Sequence, residues 1–160
     1  RFDLEVQRNL GAVGKPGQPH RPAIAQQART RRLLGLVALA QDDLPRAESE
    51  LSSSLQLCRD LRDDVGCGES LCWLGHVARL RGNLDEALEL QEECAKIADA
   101  VNDRWTQSDA LEELGHVHLA HGDFTASRES FVEAAALSEE LGQPRGVADA
   151  KMGLARIAFH

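Results

Sequence analysis

Apolar positions along this chain recur with two periods at once. Within each segment they fall at i, i+3, i+4 and i+7, the spacing of one face of an α-helix. Across segments the pattern returns after 40 residues. Leu34-Gly35, Leu74-Gly75 and Leu114-Gly115 stand in register, and Leu154-Ala155 continues the series. Val37, Val77, Val117 and Ile157 keep the same step, as do Leu44, Leu84 and Phe124, and Ala47, Ala87 and Ser127. Self-similarity at this spacing marks stacked supersecondary units, each lending its apolar side to the next. The pattern predicts helix pairs over 23–41 with 44–62, 67–81 with 84–100, and 105–121 with 124–141. A last helix is expected from 145 to the end. Ahead of these, Phe2, Val6 and Leu10 predict a short helix over 1–10, and the Gly- and Pro-rich run 11–22 reads as a linker. The expected division is therefore an arm over 1–22 and a helical repeat domain over 23–160.

The joints between helices share a chemistry. Gly82 and Gly122 suit the left-handed conformation that ends a helix. Asn83 and Asp123 can cap the helix that follows, and Glu86, three residues after Asn83, completes a capping box. In the first unit Asp42-Asp43 stands where Gly-Asp would be, so some backbone strain is expected there. Gly35, Gly75 and Gly115 sit in mid-helix, where glycine costs about 0.5–1 kcal/mol relative to alanine. That cost, repeated in register, implies close approach of the paired helix, expected to present Ala47, Ala87 and Ser127. Gly115→Leu should then destabilise by about 1–3 kcal/mol through overpacking.

Composition narrows the class further. Aromatic residues make up 4% of the 160, Tyr is absent, and β-branched residues never cluster. This favours an all-α protein. The net charge is −8. Residues 1–32 carry seven Lys/Arg against two Asp/Glu, and the remainder eleven against twenty-four. An acidic body argues against extended nucleic-acid binding, which needs many phosphate neutralisations. Cys58, Cys67, Cys72 and Cys94 form no CxxC pair and read as reduced, semi-buried thiols of a cytoplasmic protein. The longest apolar run, Leu33 to Ala40, is far too short to span a bilayer. No signal peptide is visible and Arg1 is not a natural start, so the chain reads as a piece of a longer protein.

These residues resemble the tetratricopeptide repeat. The match runs through Leu74, Gly75, Gly82, Asn83, Leu84 and Ala87, then Leu114, Gly115, Gly122, Asp123, Phe124 and Phe131. It covers about 23–160, and the 40-residue unit is similar to the long variety found in bacterial signal-transduction ATPase regulators and kinesin light chains. The resemblance implies a right-handed α-solenoid of stacked antiparallel hairpins, about three and a half repeats. It also implies a module that binds a protein or peptide, without catalysis or a cofactor, inside a multidomain bacterial transcriptional regulator. A cytosolic scaffold or adaptor is the alternative. Expected partners are that ligand and other domains of the parent chain. Direct nucleic acid and membrane are not expected. The last helix offers Leu154, Ile157, Ala158 and Phe159 for homodimerisation through the C-terminal end.

In this family the first helices of successive units line a groove. By register that groove would show Arg29, Arg32 and Leu36, then Glu69, Cys72, His76 and Arg79. Next come Asp109, Glu112, His116 and Leu119, and finally Asp149, Met152 and Arg156. The mixture, with Arg at both ends and acids between, suits an extended peptide or helix with its own charge pattern. Cys72, His76, Glu112 and His116 are all competent zinc ligands at matching positions of neighbouring helices. Their spacing is no zinc signature, so no metal is expected. Trp73 and Trp105 read as packing anchors between units. No Ser, Cys or Thr sits in a nucleophile turn.

Overall fold

The computed structural model describes residues 21–159. Among them lie seven helices: α1 (Arg21–Ala40), α2 (Leu44–Leu61), α3 (Asp64–Leu80), α4 (Leu84–Ala100), α5 (Arg104–His121), α6 (Phe124–Glu140) and α7 (Pro144–Ile157). The expected short helix over 1–10 and most of the linker over 11–22 lie outside the described residues. Arg21 and Pro22, assigned to that linker, are already helical in α1.

Each helix packs on the next, giving the hairpins α1–α2, α3–α4 and α5–α6, with α7 against α6. In addition α1 packs on α3, α3 on α5, and α5 on α7, whereas the backbones of α2, α4 and α6 stay further apart, with α2 and α4 bridged by the Arg59–Glu93 ion pair at 2.9 Å. Closer spacing on one side curves a stack towards that side, so the odd-numbered helices form its inner face. The architecture is an all-α solenoid of hairpins.

One turn joins all seven helices. The residues at 42, 62, 82, 102, 122 and 142 adopt positive φ, from 55° at Arg62 to 86° at Gly122. The amide after each reaches back to the carbonyl five residues earlier, as in Asp43 to Ala38 (2.9 Å), Asp63 to Cys58 (2.9 Å) and Asp103 to Ala98 (2.8 Å). This is the 6→1 bond of a Schellman closure. The next residue then caps the following helix: Asp43, Asp63, Asp103 and Asp123 each accept the amide three residues on. The side chain of Asn83 does not cap; it donates instead to Glu86 at 3.1 Å. Helix α3 begins three residues before its expected start. Asp63 caps it, and Gly66 and Gly68 pack in its first turns rather than breaking it.

The mid-helix glycines mark close approach, but the opposing residue is one turn further on than expected. A methyl group at Gly35 would lie 2.6 Å from Leu51, at Gly75 2.5 Å from Gln91, and at Gly115 2.7 Å from the Phe131 ring. Leu51, Gln91 and Phe131 share one register position and are all fully buried. Ala47 and Ala87 pack beside them, and Ser127 donates to the Gly115 carbonyl at 2.8 Å. At the C-terminal end Ile157 is buried and Leu154 half-buried against the Phe131 cluster. Met152 of α7 faces solvent, as do Ala158 and Phe159 just beyond its end.

Candidate functional site

The inner face holds a groove of about 780 Å³ shared by α3, α5 and α7. Helix α3 contributes Cys72, Trp73 and His76. Helix α5 contributes Trp105, Asp109, Glu112 and Glu113. The turn and first residues of α7 contribute Gly142–Gly146 and Asp149. All these helices present one face because their lining residues are spaced by three and four.

A ladder of contacts steps along this face at i, i+37. Arg32 of α1 meets Glu69 of α3 at 2.6 Å. His76 of α3 meets Glu113 of α5 at 2.7 Å through Nδ1, and Arg79 adds a bond to the same carboxylate at 2.8 Å. Burial works against ionisation of Glu113, but the bonds and charges of His76 and Arg79 outweigh it and hold the carboxyl down at about 2. The next step sets Glu112 of α5 towards Asp149 of α7, acid to acid. Burial and then the charges of Asp149, Glu113 and Asp109 push the Glu112 carboxyl up to about 7, with Arg145 opposing them. Burial, with Asp103 and Glu113, raises Asp109 as well. His116 lies 3.9 Å from Glu112, but burial, opposed by the charge of Glu113 and aided by Arg79, Arg156 and His76, holds the imidazole below its ordinary range. Lowered in this way, the imidazole adds little positive charge beside Glu112 at neutral pH. The cation beside this cluster, Arg145, reaches Asp149 at 3.5 Å with a side chain almost wholly in solvent.

The expected groove residues divide accordingly. Cys72, His76, Asp109, Glu112 and Asp149 line the groove. Arg32 and Glu69 pair with each other, and Arg79 is held by Glu113, so their charges are spent within the fold. Arg29, Met152 and Arg156 are exposed, and Leu36 is half-buried, all outside the lining. His116 packs edge-on against Phe131 at 4.9 Å, and Leu119 against the Phe131 cluster. The four metal candidates do not converge. Cys72 is buried against Cys94, which together with burial pushes its thiol up, and His76 is committed to Glu113. No group of three metal-ligating side chains occurs among the described residues.

One expectation needs correcting, and one residue outside the expected face needs adding. Trp105 is not a packing anchor, and Trp73 is only partly buried. Trp73 and Trp105 are 37% and 60% exposed, and both line the groove, Trp73 with its ring edge-on to His76 at 6.0 Å. Glu113 was not singled out at all, although it is the hub of the α3–α5 junction. The signal was present: Trp73 and Glu113 share one register position, one residue beyond the expected face. All four cysteines are free and buried, and burial pushes the Cys67 thiol up to about 11, which leaves no thiolate nucleophile there at neutral pH. No helix among the described residues is long and apolar enough to cross a membrane.

A family model described as tetratricopeptide repeat matches residues 26–100 and again residues 67–140. The two matches overlap and together take in α1 to α6 save a few terminal residues. No curated protein matches the chain.

Proposed function

We propose, since the chain belongs to the tetratricopeptide repeat family, that it is a peptide-binding module whose ligand lies in the groove along α3, α5 and α7. Repeats of this family generally mediate protein–protein interaction. The observation that carries the reading is the groove itself: about 780 Å³ with two exposed indoles and a cluster of carboxylates in its walls. Aromatic rings gathered in the wall of a concave groove give a partner apolar surface to cover. The wider setting we favour is a multidomain bacterial transcriptional regulator, in which the groove senses a protein and restrains neighbouring domains. A cytosolic scaffold is the alternative. A nucleotide-binding or helix-turn-helix domain in the parent chain would favour the first, and its absence there the second.

The test is selection of displayed peptides on the immobilised 160-residue chain, repeated on Trp105→Ala. The exposure of Trp105 makes that variant safe for the fold. Enrichment of a peptide family that Trp105→Ala no longer retains is the expected result. No enrichment, or enrichment indifferent to Trp105, would remove the groove from the account.

A further inference from the structure

The inner-face ladder pairs acid with cation at two steps and acid with acid at the third. Arg32–Glu69 and His76/Arg79–Glu113 each close a carboxylate with a cation from the neighbouring unit. At the third step the same spacing of 37 falls on two acids, Glu112 and Asp149, and both line the groove with Asp109. A fold gains nothing from such a pairing, since like charges in a partly desolvated wall repel. The rest of the ladder shows that a cation at this step is sterically ordinary. The exposed rings of Trp73 and Trp105 line the same groove, and indole faces attract cations. Arg145 does not fill the role, because its exposed side chain touches only the outer acid, Asp149, at 3.5 Å.

Resting on the peptide-binding reading above, we propose that the ligand inserts an arginine or lysine side chain between Trp73 and Trp105, where its charge completes the third step against Glu112, Asp149 and Asp109. The occupant is thus a partner segment with a basic residue at a fixed position, flanked by apolar side chains that cover the indoles. Charge complementarity selects it: an acidic segment would add to the repulsion among Glu112, Asp149 and Asp109, and a neutral one would leave that repulsion in place.

The probe is a library of acetylated octapeptide amides lacking Trp, sorted into sublibraries with one position fixed as arginine, lysine, citrulline or acetyl-lysine. Trp73 and Trp105 are the only indoles of the chain, so their emission reports binding at the groove directly. Arginine and lysine sublibraries are expected to bind at least ~10-fold more tightly than their neutral counterparts. In Asp109→Asn/Glu112→Gln this preference should collapse, with the thermal midpoint unchanged or raised. Equal binding of charged and neutral sublibraries would overturn the proposal and leave the peptide-binding reading standing. A preference that survives in the double variant would also overturn it, by placing charge selection elsewhere. If no sublibrary changes the emission, both readings fall. The citrulline comparison alters only the peptide, so it decides the matter even if the double variant is unstable.

Discussion

Single residues carry the departures from the repeat, and each can be interrogated. Gln91 occupies the position held by Leu51 and Phe131. It is fully buried, donates from Nε2 to the Cys72 carbonyl at 2.8 Å, and leaves Oε1 without a hydrogen bond. A buried, unsatisfied acceptor costs about 1–3 kcal/mol, against about 0.5–1.5 kcal/mol for the bond that Nε2 makes. Gln91→Leu should therefore stabilise by about 1 kcal/mol, read as a higher urea midpoint at unchanged slope. Glu112 and Glu113 are adjacent and shifted in opposite directions. Glu112, raised to about 7, favours folding while protonated in the low-pH range, and that contribution is lost as pH rises from the ordinary carboxylate range through 7. Glu113, held at about 2, contributes stability above the ordinary range that is lost as pH falls towards 2. Glu112→Gln should consequently raise the melting temperature at pH 8 and leave it nearly unchanged at pH 4, whereas Glu113→Gln should lower it at pH 8. Thermal scans at the two pH values check both. The sequence shows that these residues are acidic and lie near one face. It cannot show which acid meets a cation, because that depends on a step of 37 rather than 40 across the helix stack.

At the scale of elements the turn was half legible. The pairs at 82 and 122 are visible as Gly followed by Asn or Asp, and the strain expected at Asp42 is there, with φ at 59°. The turns at 62 and 102 are hidden because Arg and Asn replace glycine, yet they use the same left-handed residue and the same back-bond. So the helices fall on a 20-residue half-period, although side-chain identities repeat only at 40. Arg62 stands at φ 55°, where a side chain is strained, and Gly142 fills the corresponding place two turns later in the same series of hairpin junctions. Arg62→Gly should stabilise by about 0.5–1 kcal/mol, the strain relieved being offset in part by the freer unfolded chain. A lower midpoint in chemical denaturation would show instead that the Arg62 stem packs usefully. The start of α3 was misplaced for a related reason. Gly66 and Gly68 look like helix breakers, but a side chain at Gly66 would collide with Cys58 and with the cap Asp63, so glycine there serves packing.

The whole molecule follows from a difference in spacing between its two sides. The odd helices pack directly across units and the even ones stand further apart, and the resulting curvature gathers residues from α3, α5 and α7 into one groove. Repetition made the fold readable, since three copies of Leu-Gly-x-Val fix the register of every hairpin. Repetition also obscured the site. The distinguishing residues, Trp73, Trp105, Glu113 and Arg145, break the period, and a search for what recurs passes over them. Five of the fourteen expected groove residues line the cavity, and the rest are spent on the ladder, the core or the outer surface. A second, smaller cleft of about 300 Å³ lies on the other side, between α2, α3 and α4. The two sides can be told apart by amide and indole chemical-shift mapping of the isotope-labelled 160-residue chain at saturation with a selected peptide. Shifts concentrated at Trp73, Trp105, Asp109, Glu112 and Asp149 are predicted. Shifts centred on α2 and α4 around Arg59, Glu86 and Leu90, with both indoles unmoved, would contradict the inner groove as the binding site.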